Sequence, residues 1–181
     1  MQRRRLILGL LALPAWRAAA GAAAPVSFAP VLAGRRLAFP VDHGAHPDFR
    51  TEWWYVTGWL SLPDGAPLGF QTTFFRVRTG VGEDSPSAFA PRQLILAHAA
   101  IADPRLKRLR HDERSARAGF GRAGFETGRS GVWVGDWRFA QVGDAYRAEV
   151  NAADFAYVLE CVPDGPPLLN GVAGFSAKAA D

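Results

Sequence analysis

His43, His46, Asp48 and Glu52 crowd into one short stretch of the chain, and between them they offer imidazole and carboxylate groups. Those are ordinary zinc ligands, and His43-x-x-His46 beside a carboxylate has suitable chemistry for a metal. The spacing is loose, however, and the stretch contains Gly44 and Pro47, so no metal and no cofactor is expected. A second reading has the histidines orienting this loop through bonds to backbone carbonyls, and a third places them in acid–base or ligand contact at a pocket mouth. Glu52 begins an apolar run directly before two tryptophans, where an unpaired buried charge costs several kcal/mol. Arg76, after a pair of phenylalanines, is its natural partner. The functional alternative is a carboxyl kept protonated by its aromatic surround, able to act as a general acid. His98 is flanked at alternate positions by Leu94, Leu96 and Ala100, as either a satisfied interior histidine or a ligand-orienting group on an apolar inner face. Glu52, His46, His98 and Arg76 are the catalytic candidates.

A general acid set beside aromatic faces, with controlled access of one water, could protonate an apolar ligand and stabilise the cation that forms. Trp53, Trp54, Tyr55, Trp59, Phe70, Phe74 and Phe75 would line such a site, with Gln71 as a polar ligand contact. Aromatics on strands also serve as plain core packing. No nucleophile arrangement is present: Gly-x-Ser-x-Gly is absent, and Cys161 lies in an ordinary strand pattern. Gly119-x-Gly121 and Gly128-x-x-Gly131 lack the strand–helix context of a phosphate loop.

The elements that must position these groups read as short strands. Thr51 to Leu62 is aromatic and β-branched, with large apolar groups on both faces, so cover on both sides is expected. Pro63-Asp64-Gly65-Ala66-Pro67 is a turn, and Leu68 to Thr79 returns as a hairpin partner. Val81 to Pro91 reads as a loop and Gln93 to Ala102 as a third strand. Arg105 to Gly131, charged and glycine-rich, reads as a long connection or a pair of weak edge strands. Val132–Val142, Tyr146–Asn151 and Phe155–Pro163 are three further strands, joined by short turns. No sustained helical period occurs. The expectation is an all-β fold of seven or eight strands in up-and-down antiparallel order, closed into a barrel or packed as a sandwich.

The N-terminus is separate. Gln2-Arg3-Arg4-Arg5, an apolar core from Leu6 to Leu13, and the small residues Ala18 to Ala22 have the layout of a signal peptide, Sec or twin-arginine. The expected organisation is a leader at 1–22, a linker at 23–34 and one domain at 35–181. That predicts a periplasmic or secreted product. The formal charge of +4 resides in the four arginines of the leader, whose removal leaves seventeen basic against seventeen acidic residues. A nucleic-acid partner is therefore not expected, and neither is an integral membrane span.

Three blocks point further. FPVDHGAHPDFRTEWWYVTGWL (Phe39 to Leu60), GFQTTFFR (Gly69 to Arg76) and LAHAAIAD (Leu96 to Asp103) closely resemble the carotenoid 1,2-hydratase/AttH-like family. GDWRFA (Gly135 to Ala140) and LLNGVAGFSAK (Leu168 to Lys178) are weaker echoes. The resemblance implies a lipocalin-like, calycin-type β-barrel and the handling of a bulky hydrophobic small molecule of isoprenoid or lipid-like character. It implies a hydro-lyase of carotenoid 1,2-hydratase type as the activity, if the protein is an enzyme: protonation of a terminal isoprene double bond makes a tertiary carbocation that water captures. A non-catalytic periplasmic carrier or binding module, or an inactive half of a two-domain protein, is the competing reading. The family pattern also has a second lipocalin-like domain, so this chain matches only the first half and its barrel is incomplete if the second is needed.

Overall fold

The computed structural model describes residues 26–177, so the leader expected at 1–22 lies outside the described residues. Nine strands follow in chain order: β1 (Thr51–Ser61), β2 (Pro67–Arg78), β3 (Gln93–Asp103), β4 (Arg108–Arg117), β5 (Ala123–Phe125), β6 (Gly131–Val134), β7 (Trp137–Val142), β8 (Ala145–Asn151) and β9 (Ala156–Cys161). Each pairs antiparallel with its chain neighbour, giving sheets β1-β2-β3-β4 and β5-β6-β7-β8-β9. This is the all-β, up-and-down, lipocalin-like arrangement. Among the described residues the only helical elements are two 3-10 turns, Val41–His43 and Pro104–Leu106, and no helix is long and apolar enough to cross a membrane.

The two sheets enclose one core. Phe74, Ile95, Ala97, Ala99 and Ile101 from the first sheet meet Val132, Val134, Trp137, Phe139, Ala148, Val150 and Leu159 from the second. Burial of such side chains stabilises a fold by about 1.5–3 kcal/mol each. Trp137 is fully buried, and its indole N–H donates to the Asn151 carbonyl at 2.8 Å, so its one polar atom is satisfied.

Alternation along β1 is one-sided. Glu52, Trp54, Val56 and Gly58 face inward, whereas Trp53, Tyr55 and Trp59 point out, Trp59 being 78% exposed. Cover on both faces of this strand, expected from its composition, is not found. Residues of β2 follow the same phase, since Glu52 lies opposite Arg76, Trp54 opposite Phe74 and Trp53 opposite Phe75. The face of β3 is also the reverse of the expected one. Leu94, Leu96, His98 and Ala100 take the outer side, and Ile95, Ala97, Ala99 and Ile101 form the core. Both faces of β3 are apolar, so alternation alone does not choose between them; pairing with β2 does.

Two findings concern strand count. The charged stretch Arg105 to Gly131 holds a pair of edge strands, one of its two expected forms: β4, a regular ten-residue strand at the edge of the first sheet, and the short β5 at the edge of the second. The inward charges of β4 are held by the end of β8, by the turn that follows it and by aromatic rings. Arg114 lies over the Trp137 ring at 5.0 Å and donates to Asn151 O at 2.7 Å. Arg110 lies over Phe155 at 5.8 Å and donates to Asp154 O at 2.9 Å, while Asp112 accepts from Ala153 N–H at 3.1 Å. Second, the expected strand Val132–Val142 is a hairpin, β6 and β7, turned at Gly135-Asp136. Gly135 has φ of +61°, the left-handed region that a glycine enters without Cβ strain.

Candidate functional site

Everything at the site hangs on the loop that enters β1. Pro40 caps the 3-10 turn Val41–His43, and Gly44 continues it in extended conformation. Gly44 is packed backbone to backbone: an added Cβ would lie 2.1 Å from Gly128 N and 2.8 Å from Arg129 N. The next residue, Ala45, donates its N–H to Glu126 O at 2.9 Å. Gly44→Ala should therefore push the two loops apart and cost about 1–3 kcal/mol. A lowered thermal unfolding midpoint checks this; an unchanged midpoint would show that the loops yield freely.

Glu52 and Arg76 are direct cross-strand neighbours on the inner face, and Arg76 Nε donates to Glu52 Oε2 at 2.7 Å. Arg76 is 0% exposed and uses all five of its N–H groups. Besides Glu52 they reach Gln93 Oε1 at 2.8 Å and the carbonyls of Pro47 (3.3 Å), His46 (3.0 Å) and Phe49 (2.8 Å). The guanidinium thus pins three successive points of the entry loop to the sheet. Glu52 is equally committed. His46 N–H donates to both its oxygens at 2.8 Å, and His46 Nδ1 lies 2.7 Å from Oε1. With Arg76 these contacts occupy the roughly four lone-pair positions of a carboxylate.

On its other side His46 Nε2 lies 2.7 Å from Asp42 Oδ1, which also accepts from Arg35 at 3.1 Å. The result is a continuous chain Arg35–Asp42–His46–Glu52–Arg76–Gln93. His46 therefore orients the loop through carboxylates, not through backbone carbonyls as the sequence suggested. Its two ring nitrogens are both engaged, and His43 turns away to Phe39 and Tyr146, so the two histidines do not converge on one point. Asp48 contributes its carbonyl, to Ala29 and Arg78.

The Asp42 carboxyl is held below the usual carboxylate range, first by the Ala38 N–H, then by His46, with Arg35 adding to this against the opposing effect of burial. A carboxyl whose folded value is depressed stabilises the fold above its unfolded pKa, near 3.9, and that stabilisation disappears as pH falls through the folded value. Wild type should thus lose stability below about pH 4 more steeply than Asp42→Asn. Urea midpoints between neutral pH and pH 3 check this, and parallel curves would contradict it.

Two adjoining spaces open beside this cluster. One, about 330 Å3, is an aromatic cleft lined by Trp54, Val56, Phe139, Tyr146 and Cys161, with Trp53 and Tyr55 at its rim. The other, about 450 Å3, is lined by Asp42, His43, His46 and Glu52. Trp53, Trp54 and Ser130 border both. Trp54 is fixed by its indole N–H to His43 O at 3.4 Å, and Ser130 Oγ donates to the same carbonyl at 2.9 Å. One end is apolar and aromatic, the other charged and hydrogen-bonded.

The family profile described as AttH-like matches residues 30–181. The chain belongs to the AttH-like family. A crystal structure of a candidate AttH from Nitrosomonas europaea resembles this AttH-like chain with a TM-score of 0.74 and 48% identity, over 83% of this chain and 45% of that one. The chain thus spans less than half of that relative's length. No curated protein matches it.

The candidates read from sequence separate by place. Glu52, His46 and Arg76 come together; Trp54 lines the cleft from the inner face, and the outward-pointing Trp53 and Tyr55 border it at the rim. His98 stands apart on the outer face, its side chain 51% exposed, 3.8 Å from Glu113 and edge-on to Phe75. The inner apolar setting expected for it is not found. Phe75 and Gln71 share that outer face with Trp59, and Phe74 is sealed in the core at 0% exposure. Asp42, Ser130, Phe139 and Tyr146 belong to the site and escaped the sequence reading. Asp42 carried one usable signal, its position four residues before His46 beside Pro40. Phe139 and Tyr146 lie on the second sheet and Ser130 just before its strand β6, all far away in sequence.

Proposed function

We propose that this AttH-like chain is an exported binding domain that takes a bulky hydrophobic small molecule, isoprenoid or lipid-like, into the aromatic cleft beside β1. The supporting observation is the pairing of charges next to an apolar space: Glu52, Arg76, His46 and Asp42 satisfy one another, while Trp54, Phe139 and Tyr146 line the cleft. A carrier can pair every charge in this way. An enzyme needs one ionisable group free to move a proton, and Glu52 is held by four contacts. Arg76 then acts as the anchor of the loop and His46 as the link between its carboxylates.

Hydration of a carotenoid end group, the activity implied by the family resemblance, is the second reading. His46 favours it, being partly exposed on the space that adjoins the aromatic cleft. A second lipocalin-like domain is the proposed partner, supported by the outward aromatics Trp53, Tyr55 and Trp59 and by the length of the solved relative.

Native mass spectrometry of the protein recovered from a host that exports it tests the reading. A mass shortened by the leader, with a retained apolar molecule, is expected. A chain that keeps its leader and carries nothing would contradict it. Incubation with an acyclic carotenoid separates the two roles: a product heavier by one water would replace the carrier reading with the hydro-lyase one.

A further inference from the structure

The aromatic cleft is not uniformly apolar. Tyr146 reaches into it from β8, with its ring stacked on Phe139 at a centroid distance of 5.8 Å and an interplanar angle of 11°. His43 meets the same ring edge-on at 6.2 Å. Two neighbours thus fix the direction of the phenol, whose oxygen ends 3.4 Å from His43 Nδ1.

A phenolic hydroxyl offers one proton and two lone pairs. His43 is its sole hydrogen-bonding partner among the described residues, and that bond is long. Whichever tautomer His43 adopts, at least two of the three positions stay open. The other hydroxyl at this border, that of Ser130, has its proton committed to His43 O and can only accept, whereas Tyr146 can do both. Burial pushes the Tyr146 phenol above its ordinary range, which keeps it a neutral hydroxyl able both to donate and to accept.

We infer that Tyr146 is the polar recognition group of this cleft, and that the ligand is an apolar chain molecule carrying a hydroxyl at the end that lies against His43. This rests on the reading of the cleft as an apolar binding site. A site that hydrogen-bonds an oxygen function discriminates against the analogue that lacks it, because the buried polar group is then left without a partner. The cleft should therefore distinguish an alcohol from a hydrocarbon of the same carbon skeleton.

Farnesol and farnesene are suitable probes, each titrated against N-phenylnaphthylamine bound to the purified chain. Wild type should bind farnesol about tenfold more tightly than farnesene, the amount one well-placed hydrogen bond provides. Tyr146→Phe keeps the ring and its stacking on Phe139, and it should abolish that ratio while leaving farnesene affinity within about twofold. A merely structural tyrosine would weaken both probes alike, and that outcome overturns the inference. So does an alcohol preference that survives in Tyr146→Phe, or equal affinities in wild type. If neither probe displaces the dye saturably, the apolar reading of the cleft fails and this inference falls with it.

Discussion

Arg76→Ala should cost about 3–5 kcal/mol of stability, enough to unfold a marginal domain. The side chain is wholly buried, and its five N–H groups hold Glu52, Gln93 and the carbonyls of His46, Pro47 and Phe49. Truncation leaves a carboxylate without its cation and takes donors from several loop carbonyls at once. Each unsatisfied buried group adds about 1–3 kcal/mol. Glu52→Gln should also be severe, about 3 kcal/mol, because it strands a buried guanidinium without a counter-charge. Arg76→Lys keeps the charge but loses the planar fork, and should recover little. Urea unfolding gives the measurement. An Arg76→Ala midpoint equal to wild type would mean that the ion pair does not carry the loop.

Trp54→Ala should weaken binding of an apolar dye about thirtyfold, close to 2 kcal/mol, the scale of a buried aromatic anchor. Trp54 borders both spaces, and its indole is tied to the entry loop at His43 O. Trp59→Ala is the matched control. That residue stands on the outer face, 78% exposed, and its loss should leave the dye affinity unchanged. Fluorescence titration of N-phenylnaphthylamine reads both variants. A Trp59 effect as large as the Trp54 effect would move the binding surface to the outside of the first sheet.

The part of this site that was legible in the sequence is the part governed by local cost. A carboxylate placed before two tryptophans needs a cation, so the Glu52–Arg76 pair could be read from residue types and the hairpin between them. Strands β1 to β3 were legible for a similar reason: aromatic and β-branched runs broken by Pro-Asp-Gly leave few alternatives. Where both faces of a strand are apolar the reading failed. Nothing in Leu94-Ile95-Leu96-Ala97 says which side is inside, so His98 was assigned to the wrong face. β4 and β5 were legible only as one of two alternatives, a pair of edge strands or a long connection. The inward residues of β4 are Arg110, Asp112 and Arg114, held by the Asp154 and Asn151 carbonyls, the Ala153 N–H and the rings of Trp137 and Phe155, and charge alternation without apolar alternation also resembles a loop. Tyr146 and His43 stand 103 positions apart, and only the folded meander brings them together. The close approach of Gly44 to Gly128 is of the same kind, a backbone contact between distant loops that no residue type announces.

A crystal structure of the chain with farnesol bound tests the central claim most directly. The account predicts the isoprenoid chain between Trp54 and Phe139, with its hydroxyl beside Tyr146. Ligand lying instead on the outer face of the first sheet around Trp59, with the cleft empty, would contradict it.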